Sequence, residues 1–193
     1  MENFKMSDAM QSKQTLKQIV DSFLKDSICV RVEGGYKGLD FKTVKEKAAF
    51  AQYKAKDGWK KHSHQYRISG KTLNEVYEAF KTWKTSKKFS NFDELYSSVE
   101  TLIGSISGVG PLMVYDTTLR FAEYYGLKPD LVYLHAGAHE GAVCLVNAGL
   151  MKMPLNSKMS VSDFPKDLQK LKAKDIEIIL CARKKELAAL SGK

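Results

Sequence analysis

The sequence is poor in the features that mark several familiar protein classes. It has three cysteines, Cys29, Cys144 and Cys181, far apart and without a CxxC spacing. An odd, scattered set argues against a disulfide framework and for free thiols in a reducing compartment. No apolar run approaches the roughly 18 residues that would span a bilayer. The opening residues, Met1 to Gln11, are polar and mixed in charge and do not read as a signal peptide. There is no internal repeat and no low-complexity tract. The expectation from these absences is a cytoplasmic protein without a membrane partner.

Negative charge is also scarce. The 193 residues carry 31 Lys/Arg against 22 Asp/Glu, a net charge of +9, with a hydrophobic fraction of 44% that suits a globular fold. The excess lies in the first half: residues 1–89 hold 19 basic and 10 acidic residues, and residues 90–193 hold 12 of each. Its densest stretch contains Lys54, Lys56, Lys60, Lys61, His62, His64, Arg67 and Lys71 against a single acid, Asp57. Such a field attracts polyanions, while the plain alternative is a lysine-rich surface kept for solubility. Tyr53, Trp59 and Tyr66 within the same stretch favour binding, because rings beside cations stack on bases while phosphates are neutralised.

Hydrophobic spacing predicts a mostly α, multi-helix protein, with at most a short strand near residues 28–32. Leu16, Ile19, Val20, Phe23 and Leu24 make one face of a helix over 8–25. A second helix is expected over 40–56, stopped by Asp57-Gly58, with the basic segment up to Gly70 as a loop. Thr72 and Glu75 have capping-box spacing and predict the start of a third helix. Further helices are expected from Ser90, over Leu112–Tyr125, briefly from Ser162, and from Asp175 to Leu190. The change in charge balance suggests two regions, 1–89 and 90–193, which are equally compatible with one continuous domain.

The most informative segment is Leu102-Ile-Gly-Ser-Ile-Ser-Gly-Val-Gly-Pro-Leu-Met-Val-Tyr-Asp-Thr-Thr-Leu119. It reads as a helix end, a tight Gly108-Val109-Gly110 loop, and a new helix opened by Pro111, whose missing N–H costs nothing at that position. Glycines let a phosphate approach the backbone, and the free amides of Leu112 and Met113 would face it. The alternative is an ordinary turn between helices that needs its glycines for geometry alone.

Ile106-Ser107-Gly108-Val109-Gly110 resembles the helix-hairpin-helix motif, with Leu102 and Ile103 as its packing residues. That resemblance implies a backbone grip on one DNA phosphate without reading of sequence. Together with Lys128-Pro-Asp-Leu-Val-Tyr-Leu-His135, the layout is similar over about 35 residues to the helix-hairpin-helix DNA glycosylases. Two departures separate the chain from them. Leu112 stands where the bifunctional members carry a catalytic lysine, and His135, Ala136 and Gly137 stand where the catalytic aspartate is expected. The resemblance therefore implies phosphate binding and not the glycosylase machinery.

The expected partner is nucleic acid, with DNA favoured, and no cofactor is implied. The expected contacts are Gly108, Val109, Gly110, Leu112 and Met113 in the hairpin, with Lys54, Lys56, Trp59, Lys60, Lys61, His62, His64, Arg67 and Lys71 in the basic stretch. A rival reading is an enzyme on nucleic acid or nucleotides using Asp116, His135, His139 or Glu140; a third is a module that meets an acidic protein. His135 and His139 are four apart, but Gly137 and Gly141 weaken a helix that would hold them for a metal, so no metal site is expected. Those glycines instead predict close packing against another helix. Asp116 is expected to pair with Arg120 one turn on. Lys87-Lys88 and Arg183-Lys184-Lys185 are expected to be solvated charge.

Overall fold

In the computed structural model, which describes residues 14–26, 35–62, 65–84 and 88–191, the chain folds around two apolar cores. The expected strand near 28–32, together with Cys29, His64 and Lys87, lies outside the described residues. Among those described there are eight α-helices and two small two-stranded sheets, a mostly α protein as the spacing predicts.

The first core gathers α2 (Phe41–Ala49), α3 (Gly70–Lys81), α4 (Phe92–Ile103) and α5 (Pro111–Tyr125). Rings dominate it: Phe41, Phe80, Trp83 and Phe121 pack within centroid distances of 4.7 to 6.1 Å of one another. The second core is aliphatic. It joins α1 (Leu16–Lys25) to α6 (Ala136–Asn147), α7 (Ala173–Ala182) and α8 (Lys184–Ala188). The cores do not follow the change in charge balance at 89/90, since Phe80 and Leu95 belong to one cluster and α1 joins the far end of the chain.

Between α2 and α3 the basic stretch departs from the expected loop. Its first part is an antiparallel hairpin, β1 (Gln52–Ala55) with β2 (Gly58–Lys61), in the register Tyr53↔Lys60 and Lys54↔Trp59. Asp57-Gly58 belongs to the hairpin turn and does not stop a helix; Gly58 has φ +122°, a value side chains rarely adopt. The helix itself ends earlier, at Ala49. Ala51, at φ +55°, turns the chain straight into β1, and its carbonyl accepts from the His62 amide at 2.8 Å to close the hairpin.

A second pair, β3 (Leu131–Tyr133) with β4 (Lys158–Ser160), sits between the cores. Tyr133 ends β3, and its hydroxyl donates to Asp93 at the start of α4, which Lys158 of β4 also reaches at 3.0 Å. Gly137 and Gly141 do provide the predicted close approach: a Cβ on Gly141 would overlap the Leu180 carbonyl of α7, and one on Gly137 would meet Cys181 Sγ.

The last helix is two, not one, because the chain bends at Arg183 between α7 and α8. Arg183 and Lys184 are not free solvated charge. Arg183 pairs with Glu186 at 2.8 Å and with Asp26 after α1, and Lys184 reaches Glu140 of α6 at 2.5 Å. No helix among the described residues is long and apolar enough to cross a membrane.

Candidate nucleic-acid interface and the buried acid cluster behind it

The turn between α4 and α5 is held by its own sequence. Ile103 is buried, and Leu102, Ile106 and Val109 pack against the first core. The amide of Ile106 donates to Ile103 O and that of Val109 to Ile106 O, both at 3.0 Å. Val109 therefore contributes packing to the turn, and its amide is already engaged there. Gly108 has φ +86° and needs to be glycine, whereas Gly110 has φ −110°, and a Cβ there would meet nothing within 4 Å.

Gly110 is the N-cap of α5, Pro111 follows it, and no side chain caps the first turn. The amides of Leu112 and Met113 have no acceptor one turn back within the helix, and Gly110 has no side chain to supply one. With the positive end of the helix dipole behind them, they suit an anion. Leu112 is exposed at the rim and Met113 is buried, so these residues are available through their backbone more than their side chains.

The second half of the basic stretch is tied to this turn. Ser69 caps α3 by accepting from the Thr72 amide at 3.0 Å; Thr72, expected to be the cap, is instead the third helical residue and is buried. Its hydroxyl is free to do something else. It donates to Ser107 O at 3.1 Å, one residue before Gly108, which sets the N-terminus of α3 beside the hairpin. Gln65, also buried, donates to Asp116 at 3.0 Å and accepts from Arg120 at 3.1 Å, so it bridges the pair expected to meet directly. Lys61, Tyr66, Arg67 and Lys71 are thereby placed next to the hairpin.

The other basic residues stand on β1 and β2. Lys54, Lys56 and Lys60 are exposed, and Lys60 pairs with Asp57 at 2.8 Å, a contact that raises the lysine pKa and lowers the aspartate's. Trp59 is half-buried, edge-on to Tyr36 at 5.5 Å with the ammonium groups of Lys47 and Lys54 at 5.8 and 5.7 Å, so it is not an open stacking ring. His62 stacks on Tyr53 at 4.7 Å. The exposed ring of the stretch is Tyr66, at 67% exposure.

Of the four residues considered for catalysis, one, Asp116 on α5, lies near enough to act on the charge of a residue that sequence reasoning missed, Glu177 of α7. His135 is the N-cap of α6 and is buried. Burial, reinforced by the Asp116 charge, pushes the Glu177 carboxyl up to about 8, so it is largely protonated at neutral pH. Burial also drives the His135 imidazole down to about 4, which keeps it neutral. His135 lies against the Tyr115 ring at 4.7 Å, and its Nε2 and the Tyr115 hydroxyl are buried without a hydrogen-bond partner. No spacing in the sequence links Glu177 to Asp116; the only signal was an acid on the apolar side of the last predicted helix.

His139 and Glu140 point outward, and Glu140 meets Lys184. No group of three or more metal-ligating side chains occurs among the described residues, and Cys144 and Cys181 are free thiols. Surface hollows beside α4, one lined by Trp83, Glu94 and Leu102 and one by Asn91, Asp93 and Asp130, do not include the acid cluster. Compared with known proteins, the chain gives no significant match to any family model, curated protein or solved structure.

Proposed function

We propose that the chain binds nucleic acid, DNA in preference, through its phosphates and with little regard to sequence. One observation carries the reading: the Thr72–Ser107 hydrogen bond ties the start of α3, which follows the basic segment Lys61–Lys71, to the turn before the uncapped start of α5. A phosphate bound at the α5 amides and the cations of that segment can then engage one nucleic-acid backbone. Contacts of this kind position a protein on a duplex and carry no base code.

Gly110→Ala is the decisive variant. A methyl group there meets no protein atom, so the fold is expected to survive while the anion position is obstructed. Loss of one charge-assisted contact is expected to weaken binding roughly tenfold to a hundredfold, by a similar factor on two unrelated duplexes. Unchanged binding by the folded variant leaves the turn as scaffold and refutes the grip. In parallel, replacing Lys61, Arg67 and Lys71 together by Ala should flatten the log–log salt slope by about two to three units.

A second reading is favoured by the buried Glu177 carboxyl beside Asp116: an enzyme on nucleic acid or nucleotides, with Glu177 as the proton donor. A carboxylic acid kept neutral at pH 7 is suited to that role. Turnover of a modified-base duplex that disappears in Glu177→Gln while binding persists is the result that establishes it.

A further inference from the structure

We infer that the ring of Tyr66 is a stacking platform for an unpaired nucleobase, so that the ligand contains a single-stranded or bulged segment. The inference rests on the phosphate-binding reading above and specifies what that face binds. Among the large apolar side chains of the described residues, Tyr66 is the most exposed, at 67%. Its backbone is nevertheless held on both sides. The preceding residue, Gln65, is buried and bonded to Asp116 and Arg120 of α5. Ile68 packs against the first core, and the turn is closed by the Gln65 amide on His62 O at 3.0 Å and the Ile68 amide on Gln65 O at 3.1 Å. The ring is thus presented outward by a fixed turn.

The surroundings define the ligand. Lys61 Nζ lies 5.9 Å from the ring centroid, and Arg67 and Lys71 are exposed on the same segment. A flat ring flanked by cations suits a flat π-system that carries negative charge, which describes a base with its phosphate. Inside a duplex each base already stacks on both neighbours, and only a terminal pair keeps an open face. Away from duplex ends, the base that covers the Tyr66 ring is one that has left the stack or was never in one. Four residues after Tyr66, α3 begins, and Thr72 ties it to the hairpin, so that one ligand can meet both the ring and the phosphate site.

The test uses the full chain and three 2-aminopurine probes: a blunt duplex, the same duplex with the fluorescent base in a one-nucleotide bulge, and the single strand. The parent is expected to bind the bulged and single-stranded probes roughly tenfold more tightly than the blunt one, and to quench the fluorophore on binding. Tyr66→Ala should lose roughly fivefold to a hundredfold on those two probes, the range for one base stacked on an aromatic ring, with the quench, while Tyr66→Phe keeps both. Equal parent affinity for all three probes overturns the inference, as does an equal loss by Tyr66→Ala on all three. Polyglutamate competing as well as the single strand would also overturn it and assign the face to acidic proteins. If Gly110→Ala still weakens every probe in those cases, the phosphate grip stands without the stacking site; if no probe binds the parent, both fall.

Discussion

The two cores solve the same packing problem with different materials. The first is built from rings, with Tyr36, Phe41, Phe80, Trp83, Phe92, Tyr115, Phe121 and Tyr133 in contact through one cluster. The second is built from Leu, Ile, Val, Ala and Met, with Phe23 and Phe164 as its only buried phenylalanines among the described residues. Branched and small side chains let helices approach until backbone meets backbone, as Gly141 does against Leu180. Beside the ring-built core a polar contact is accommodated, in which the buried Gln65 of the basic segment bonds Asp116 and Arg120 of α5. Charge does not distinguish the regions in the same way: residues 35–127 carry 15 basic against 10 acidic side chains, and residues 128–193 carry 11 against 7. The proposed face therefore owes its character to local density around Lys61–Lys71.

Removing a ring should be the severest way to break the contrast. Phe121 is fully buried and touches Phe41, Phe80 and Trp83, so Phe121→Ala is expected to cost about 3–5 kcal/mol. Ile179→Val in the aliphatic core should cost about 0.5–1.5 kcal/mol. Urea titration of both variants measures the difference, and equal losses would mean that the two cores do not differ in how they store stability.

The junction between the cores should respond to pH. Glu177 titrates near 8 in the folded protein and near 4.5 when unfolded, so the folded state holds its proton more tightly and stability falls as pH rises through that window. Glu177→Gln should remove this fall and raise the melting temperature at pH 8 relative to the parent. His135 acts in the opposite sense: its folded pKa near 4 lies below the usual 6.5, so stability is lost as pH falls from 6.5 toward 4. The two effects oppose each other where their windows overlap, between about pH 4.5 and 6.5, so melting curves across pH 4 to 9 of Glu177→Gln and of His135→Gln, each against the parent, check the two signs separately.

A smaller effect separates the two glycines of the hairpin. Gly108→Ala places a side chain at φ +86° with Thr72 Oγ1 at 3.0 Å, and is expected to cost on the order of 1 kcal/mol or more. Gly110→Ala meets no clash and no left-handed φ, and should cost only the weaker N-cap preference of alanine, about 0.5–1 kcal/mol. A cost at Gly108 no larger than that at Gly110 in thermal melts would show that the positive φ at Gly108 stores no strain.

Much of the helical scaffold was legible in the sequence because it is local. Pro111 and Gly126 frame α5, and the Leu102, Ile103, Ile106 and Val109 spacing places the turn before it. The β1–β2 hairpin was misread because its strands are four residues each and rich in lysine, which hides the alternation. Asp57-Gly58 reads equally as a helix stop and as a hairpin turn, and the flanking Tyr53, Ala55 and Trp59 were the signal for the latter. The cap of α3 was misplaced by three residues because Ser69 and Thr72 both satisfy the cap preference, and only the reach to Ser107 decides between them. The meeting of Glu177 with Asp116 was not legible beyond an acid on the apolar side of a predicted helix. It is made between α5 and α7, and no local pattern encodes a meeting of that range.

The placement of α1 has a consequence for the order of assembly. Its apolar face belongs to the aliphatic core, and Asp26 beside it meets Arg183 near the other end of the chain. The aromatic region between them is a continuous stretch inserted into a discontinuous one. During synthesis at about 5–20 residues per second, α1 precedes Arg183 by on the order of ten to thirty seconds. In that interval the aromatic region has all of its helices, whereas α1 has only water, or a chaperone, for its Ile19, Val20 and Phe23 face. The aliphatic core is thus the later of the two to close, and sealing it requires the nascent chain to bring α1 back to α7 and α8.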